Sequence, residues 1–155
     1  MPAPEIVQAM VTRFSATPFA LGVELPAASL LTALRALRDA HGYRYYVLAT
    51  GTEGETAFEV VHAVRNLETN DTLFVKVAVP KDAPDVDSIA FVYAGAEWQE
   101  REIWDLFGVT SRAHPDLRRI LMPDEYPGHP LRKSFAMDTP WGYRPATAST
   151  PEAGS

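Results

Sequence analysis

Four prolines within 22 residues make the segment 114–135, HPDLRRILMPDEYPGHPLRKSF, the most restrictive stretch of this chain. Proline lacks a backbone N–H and fixes its own φ angle, so this segment cannot continue a helix or form the interior of a sheet. It is also too apolar for a solvated linker, because it contains Leu117, Ile120, Leu121, Met122, Tyr126, Leu131 and Phe135. We call it the arm segment and predict that it is extended and packs against a surface.

The composition indicates one ordinary domain followed by this arm. A chain of 155 residues is long enough to bury a core, and the absence of cysteine excludes disulfides, thiolate nucleophiles and Cys-ligated iron–sulfur or zinc sites. The net charge of −6 argues against nucleic acid or an anionic membrane surface as a partner. The charges are unevenly distributed: residues 82–105 hold seven acids and one base, whereas residues 112–144 hold six bases and four acids. Without a signal peptide or an apolar run of about 20 residues, a cytoplasmic protein is expected.

Hydrophobic spacing predicts the elements that precede Lys81. Helical spacing indicates a short helix over 5–14 and a second helix between the N-cap Ser29 and the stop at Gly42, with an edge strand over 19–25 between them. Further strands are predicted at 43–50, 57–65 and 73–79, with a loop at 51–56 and a hairpin turn at 66–71. The second of these strands places Phe58, Val60, His62 and Val64 on one face, and the third turns Lys76 away from its valines. The predicted fold class is α+β: two layers, with helices packed on a single mixed or antiparallel sheet, followed by the proline-rich arm.

A third helix is predicted just before the arm. Residues 80–87 read as a polar connector and residues 88–93 are ambiguous, after which AEWQEREIWDLF forms a helix ended by Gly108. A helical wheel places Ile103, Leu106 and Phe107 on one arc and Trp98, Arg101, Glu102 and Asp105 on the opposite side. The predicted organisation is a scaffold domain over 1–110, a docking arm over 111–145 and a mobile tail over 146–155.

The charges of this third helix have two interpretations. Arg101 is spaced i,i+4 from both Glu97 and Asp105, which is typical of weak ion pairs on a helix surface. Alternatively, Arg101, Glu102 and Asp105 form a partly buried polar node that fixes how the arm or a partner docks. The nearness of Trp98 favours the node.

Catalytic and metal-binding motifs find little support. His114 and His129 are single imidazoles fifteen residues apart, so they are predicted to be hydrogen-bonding anchors that order turns rather than metal ligands. His62 is expected to be a satisfied core histidine. Neighbouring carboxylates such as Glu100 and Glu102 rarely perform acid–base chemistry on an exposed helix, and the common nucleotide, hydrolase and zinc-protease motifs are absent.

Binding is therefore the expected role of the arm. A proline-stiffened chain loses less entropy on docking, its apolar side chains can fill pockets, and its arginines can find carboxylates. The alternative is that the arm wraps its own domain. The 45 residues that follow Thr110 exceed what a small domain needs, which favours a partner's surface.

Two blocks of this sequence, EREIWDLFGV (100–109) and HPDLRRILMPDEYPGHPLRK (114–133), closely resemble the signature of the thirty-kilodalton subunit of respiratory complex I. Members of this family are called the C subunit in bacterial NADH:quinone oxidoreductase and the J subunit in its plastid and cyanobacterial relatives. The dense part of the resemblance covers residues 88–135. The chain departs from the family at Ala113, where a glycine is usual, and at residues 134–136, where an acid and an aromatic–proline pair are usual.

The resemblance implies a cofactor-free, non-catalytic subunit of the peripheral arm of complex I. It would bind the D-like quinone-site subunit, of the forty-nine-kilodalton type, and other subunits of the hydrophilic arm, at the cytoplasmic face of the inner membrane. The iron–sulfur clusters, FMN and quinone would be held by partner subunits. The membrane would be reached only through the complex, and no nucleic acid is expected. The rival hypotheses are the equivalent subunit of a ferredoxin-fed relative or membrane-bound hydrogenase, and a free-standing enzyme using His129 and nearby carboxylates.

On this basis twelve residues are predicted to form the partner interface or to support it structurally. They are Trp98, Glu100, Arg101, Glu102, Asp105, His114, Asp116, Arg118, Arg119, His129, Arg132 and Lys133. The helix would orient the arm, and Arg118, Arg119, Arg132 and Lys133 would bind the quinone-site subunit.

Overall fold

The structure, a computed structural model, describes residues 2–135. In chain order its α-helices and strands are α1 (Pro4–Phe14), β1 (Thr17–Phe19), β2 (Gly22–Leu25), α2 (Leu30–His41), β3 (Tyr45–Glu53), β4 (Ala57–Asn66), β5 (Asp71–Pro80), β6 (Asp85–Asp87), α3 (Ala96–Phe107) and β7 (Thr110–Arg112). The predicted end of the arm, 136–145, and the predicted tail, 146–155, lie outside the described residues.

Five strands form one mixed sheet in the order β1-β2-β5-β4-β3. The pairs β1/β2, β4/β5 and β3/β4 are antiparallel, whereas β2 and β5 are parallel. One core lies between this sheet and the three helices, which contribute residues such as Met10, Leu34 and Ile103. On the other face Lys76 pairs with Glu24 and Glu59 at 2.9 and 3.1 Å. These features confirm the predicted α+β class.

The three helices agree closely with the predictions. Both α2 and α3 end at a glycine with a positive φ angle, 75° at Gly42 and 72° at Gly108, as the sequence indicated. Ser29 stands at the N-cap of α2, but its side chain makes no capping hydrogen bond. Its carbonyl instead accepts a hydrogen bond from the Thr32 hydroxyl at 3.0 Å.

The short strands differ from the predictions. The single edge strand predicted over 19–25 is wrong: a turn divides it into β1 and β2, and β2 lies inside the sheet against β5. The predicted loop at 51–56 is also too long, because β3 continues to Glu53. The predicted connector contains β6, which pairs in parallel with β7 in a separate two-stranded sheet. A strand of three residues has too little alternation to be recognised from sequence.

Gly51 allows α3 to approach β3 closely. A Cβ atom at this position would lie 3.1 Å from the Phe107 ring and 3.3 Å from Ile103. Together with the core contact of Ile103, this approach fixes α3 on the sheet and leaves its opposite side facing the arm segment.

Within residues 2–135, no helix has the length and apolar character needed to cross a membrane.

Candidate functional site

The arm segment lies along α3 of its own domain. The Leu131 N–H donates to the Leu106 carbonyl at 3.0 Å, and the Lys133 N–H donates to Glu53 Oε2 at 2.6 Å. Through Phe135, therefore, the arm wraps its own domain. The alternative interpretation, that the arm wraps its own domain, therefore holds for the described part of the arm, and docking of its outer side on a partner stays a prediction.

Asp105 is the centre of this contact. Its side chain is fully buried, and its Oδ2 accepts hydrogen bonds from three successive backbone N–H groups, those of Ile120, Leu121 and Met122, at 3.1, 2.8 and 2.9 Å. Its Oδ1 accepts from Arg119 Nη1 at 2.6 Å. Successive N–H groups that converge on one oxygen form an anion-binding nest. Burial raises the pKa of Asp105, but these hydrogen bonds outweigh burial and hold the pKa below its ordinary value.

Arg119 links this carboxylate to the rest of the arm segment. Its Nη2 donates to the carbonyls of Tyr126 and Gly128 at 2.7 and 3.0 Å. The guanidinium also lies 5.7 Å from the Trp104 ring centroid and 5.9 Å from that of Tyr126. Arg119 therefore closes the turn of the arm segment over α3, and its side chain is not available to a partner.

Arg101 is buried and binds backbone rather than carboxylates. It donates to the carbonyls of Arg118 and Arg119 at 3.2 and 3.1 Å, and its guanidinium lies 4.9 Å from the Trp98 ring centroid. Among the described residues it forms no ion pair with Glu97 or Asp105, so the surface ion-pair interpretation is wrong. The node lies where it was predicted, although Glu102 is exposed and takes no part in it.

Both predicted histidine anchors are confirmed as hydrogen-bonding groups. His114 Nε2 donates to the Glu97 carbonyl at 3.0 Å, while its Nδ1 accepts from the Asp116 N–H at 3.0 Å. His129 Nδ1 donates to the Asp105 carbonyl at 2.9 Å, and its ring packs edge-on against Trp104.

Ala113, where the family usually has glycine, adopts a left-handed φ of 59°. This backbone conformation is one that glycine adopts without strain, which gives a physical reason for the family's preference. In this chain the alanine accepts the strain of this φ at the turn into the arm segment.

Glu100 fixes the connection that precedes α3. It is buried, and its carboxylate accepts from the Ser88 hydroxyl at 2.6 Å and from the Ile89 N–H at 2.7 Å. Burial raises the pKa of Glu100 by more than these hydrogen bonds lower it. Glu100 therefore ties residues 88 and 89 to α3, whereas Glu102 is exposed.

Arg132 closes the C-terminal end of α3. Its Nε donates to the Phe107 carbonyl at 2.6 Å and its Nη2 to the Gly108 carbonyl at 3.3 Å, with the guanidinium 5.1 Å from the Phe58 ring centroid. A cation at this end also complements the negative end of the helix dipole. Like Arg119, Arg132 is bound to its own domain rather than presented to a partner.

The exposed residues of this site include apolar and basic side chains, beside the acids Glu102, Asp116, Asp124 and Glu125. Leu121, Leu131 and Trp98 are 59, 52 and 59% exposed. Arg118 is exposed and pairs with Asp116 at 2.8 Å, and Lys133 is also exposed. We call these five residues, Trp98, Arg118, Leu121, Leu131 and Lys133, the outer strip.

Two supporting residues carried no sequence signal. Glu53, predicted to be in a loop, holds the end of the arm segment, and Gln99 binds the Ala49 N–H of β3. Both contacts join residues at least 50 positions apart, which no local pattern reveals.

His62 is only half satisfied as a core histidine. Its Nδ1 is 3.0 Å from the Tyr46 hydroxyl, but its buried Nε2 has no hydrogen-bond partner among the described residues. Burial lowers the pKa of His62 to about 4. Residues 2–135 contain no group of three His, Cys, Asp or Glu side chains arranged to hold a metal ion.

The fold and the site define the chain as an α+β domain whose arm segment is bound to the last helix of the domain. The chain belongs to the respiratory-chain NADH dehydrogenase 30 Kd subunit family, whose model matches residues 23–140. This confirms the resemblance found in the sequence.

Curated relatives carry the corresponding names. The C subunit of NADH-quinone oxidoreductase from Phenylobacterium zucineum is 42% identical over 115 residues, which cover 72% of this chain and 54% of the relative. The C subunit from Geobacter metallireducens is 44% identical over 86 residues, covering 56 and 53%. The C/D subunit from Methylococcus capsulatus is 36% identical over 151 residues, covering 84 and 26%. The matched part thus spans about half the length of the C-subunit relatives.

Two solved structures share the fold. The trypsin-resistant fragment (1-134) of Nqo5 superposes with a TM-score of 0.58 and 26% identity over 71% of this chain and 94% of that one. A chain of an archaeal respiratory membrane complex, the membrane-bound sulfane sulfur reductase, gives a TM-score of 0.72 and 22% identity over 86 and 85%. At that identity the second likeness concerns the fold alone.

Proposed function

We propose that this chain is a structural subunit of the peripheral arm of a proton-translocating NADH:quinone oxidoreductase and docks on the D-like quinone-site subunit, of the forty-nine-kilodalton type. The proposal rests on the outer strip, taken together with the family to which this chain belongs. Its exposed leucines and tryptophan provide apolar area, and Arg118 and Lys133 provide charge, which is the composition of an interface between subunits.

The names of relatives support the choice of partner. In the Methylococcus capsulatus relative, the C and D subunits are joined in one chain. Domains joined in one chain are held near each other, which favours a D-like subunit as the neighbour of this chain. The chain would reach the cytoplasmic face of the membrane through this neighbour.

The chain acts as a scaffold without an active site in this proposal. Support comes from the hydrogen bonds of its ionisable groups: Glu100, Asp105, His114 and His129 all bind their own domain. None of these four is left as a free acid, base or nucleophile, which also argues against a free-standing enzyme built on His129. The chain has no cysteine thiolates to hold iron–sulfur clusters, which would belong to partner subunits, and in this proposal FMN and quinone do so as well.

The fold alone does not choose between complex I and its relatives, because the archaeal reductase chain shares it. Co-purification with a flavin-binding, NADH-oxidising subunit supports complex I. Co-purification with a hydrogenase-like or ferredoxin-oxidising module instead would overturn that choice.

The docking is tested by reversing the exposed charges of the outer strip in Arg118→Glu/Lys133→Glu. Arg119 and Arg132 are left intact, because they hold the arm segment to α3. We expect a pull-down from solubilised membranes to recover several-fold less of the D-like subunit. The free energy of unfolding of the isolated chain should fall by about 1 kcal/mol or less, since the Arg118–Asp116 ion pair that is lost is exposed.

The matched control is Arg35→Glu/Arg44→Glu, which reverses two exposed arginines that make no contact with the arm segment. It should leave recovery of the D-like subunit unchanged. Equal recovery with both double variants, accompanied only by a loss of quinone reduction, would contradict the proposed docking.

A further inference from the structure

A cavity of about 110 Å³ opens where β3, α3 and the arm segment meet. Gly51 lines it on the strand side, three apolar residues of α3 line it from the helix, and Leu131 lines it on the arm side. Because β3 is an edge strand of the five-stranded sheet, the cavity lies at the border of that sheet. We call this feature the β3 cavity.

The main chain of β3 has unpaired groups beside this cavity. The Ala49 N–H points away from β4, because it donates to the side chain of Gln99. Along an antiparallel pair, residues whose N–H and C=O groups face the partner strand alternate with residues whose groups face away from it. Gly51 and Glu53 therefore also direct these groups away from β4, and within residues 2–135 the groups have no hydrogen-bond partner. An unpaired edge of this kind is a template for another extended chain.

The β3 cavity combines an apolar interior with one unpaired charge. Ile103, Leu106 and Phe107 line the interior, whose volume suits a single aliphatic side chain. Glu102 also lines the cavity; it is exposed and forms no hydrogen bond or ion pair with any described residue. An aliphatic side chain with a lysine or arginine next to it would match both features.

We propose that the β3 cavity receives an extended segment of the D-like subunit. The main chain of this segment pairs with Gly51 and Glu53, one aliphatic side chain fills the cavity, and a neighbouring basic side chain faces Glu102. The choice of partner rests on the proposed function. Leu131 lines the cavity and belongs to the outer strip, so a subunit that covers the outer strip also reaches the cavity. Lys133, which belongs to the same strip, donates its N–H to Glu53 at the end of β3.

Amide hydrogen exchange tests the pairing, measured on the full chain alone and in its complex with the D-like subunit. The amides of Gly51 and Glu53 should exchange about tenfold more slowly in the complex, because a hydrogen bond must then open before exchange. The amides of Glu68 and Thr69, in the hairpin at the other end of the sheet, should not change.

The same measurement separates failure of this inference from failure of the proposed function. Unchanged exchange at Gly51 and Glu53 in a complex that still contains the D-like subunit would overturn the inference and leave the docking intact. If the chain recovers no D-like subunit at all, the docking and the inference are both overturned.

Two other occupants of the β3 cavity would give different patterns. If residues 136–155 of this chain fill it, the Gly51 and Glu53 amides exchange slowly in the free chain and rapidly in a chain ending at Phe135. If a second copy fills it, their protection in the free chain rises with protein concentration. Either pattern would overturn the assignment to the D-like subunit.

The charge is tested by Glu102→Lys, which should leave folding unchanged because this side chain is exposed and unpaired among the described residues. A pull-down from solubilised membranes should recover about fivefold less of the D-like subunit, as expected when one exposed ion pair becomes a repulsion. The matched control is Glu68→Lys, which reverses an exposed acid at the other end of the sheet and should leave recovery unchanged. Equal recovery with both variants would contradict the assignment.

Discussion

Asp105 orders more of this chain than any other residue of the site. Its carboxylate receives four hydrogen bonds from the arm segment, and its own carbonyl receives another from His129. A buried carboxylate is unfavourable unless donors surround it. The arm segment supplies these donors, so burial of Asp105 and docking of the arm segment depend on each other.

Replacing the Asp105 carboxylate by an amide should make the free energy of unfolding less dependent on pH in the acid range. Because the pKa of Asp105 is lowered in the folded protein, its contribution is complete at neutral pH and is lost as pH falls below the ordinary value of about 4. Asp105→Asn should be less stable than the wild type by about 2 kcal/mol at pH 7, with a smaller difference at low pH. Urea unfolding at several pH values measures both, and exposed Asp124→Asn is the control. A difference that grows on acidification would show that the pKa has the opposite direction.

Glu100 should show the opposite pH dependence. Its pKa is raised, so the folded protein favours the neutral acid, and wild-type stability declines as pH rises through the pKa of the folded state. Glu100→Gln keeps the oxygen that accepts from Ile89 and can donate to Ser88, so it should equal the wild type at acid pH and match or exceed it at pH 7.

Glu100→Ala is the control, because it removes the hydrogen bonds and should lose about 2 kcal/mol at either pH. The measurement is again urea unfolding. A glutamine variant as unstable as the alanine variant would mean that the ionised carboxylate is required.

At this scale the sequence identified the residues but not their partners. Arg101 and Asp105 were recognised from helical spacing and the adjacent tryptophan. Their hydrogen bonds go largely to backbone groups at 118–122, and backbone atoms have no residue-type signature. The prediction therefore paired Arg101 with nearby carboxylates and included Glu102, which faces solvent.

Among the elements, α3 joins the scaffold to the arm segment. Its inner side contacts the core through Ile103, and its outer side binds the arm segment through Arg101 and Asp105. The helix ends at Gly108, and the side chains of His129 and Arg132 lie directly against this glycine. The end of α3 is thus in contact with both the scaffold and the arm segment.

Gly108→Ala should disturb the arm segment as well as the helix. The positive φ strains any residue with a Cβ by about 1–2 kcal/mol, and the new methyl group would overlap Arg132 and His129. Gly42→Ala is a matched control, since it ends α2 at a similar φ but meets Asn66 instead. Both variants should lose stability. Only Gly108→Ala should accelerate amide exchange at Leu131 and Arg132, and equal exchange in both would contradict the contact.

Length and periodicity decided which elements could be predicted. The helices and β4 and β5 have ten or more residues, and their apolar patterns repeat often enough to be recognised. The strands β1, β6 and β7 have three residues each. Pairing of β2 with β5 joins segments about 50 residues apart, so nothing local indicated that β2 is an inner strand.

For the whole molecule, the bound arm segment predicts that truncation destabilises the scaffold. A chain ending at Ala113 loses every hydrogen bond from the arm segment to Arg101 and Asp105. Its free energy of unfolding should fall by at least about 2 kcal/mol, since one hydrogen bond to a charged group contributes about 1.5–3 kcal/mol net and several are lost. Urea unfolding provides the measurement.

A chain ending at Phe135 is the comparison, because it keeps every hydrogen bond of the arm segment to Arg101 and Asp105. If the chain ending at Ala113 unfolds at the same urea concentration as the chain ending at Phe135, the arm segment does not stabilise the scaffold in solution. The sequence could not decide this point, because an apolar, proline-rich segment suits either a partner's surface or its own domain.

The nest around Asp105 also has a consequence for variation among relatives. Main-chain N–H groups are offered by every amino acid except proline. The side chains at positions 120, 121 and 122 can therefore be substituted without loss of the hydrogen bonds to Asp105, provided that none becomes a proline. Homologues can therefore change the side chains that residues 120–122 expose while the hydrogen bonds to Asp105 stay the same.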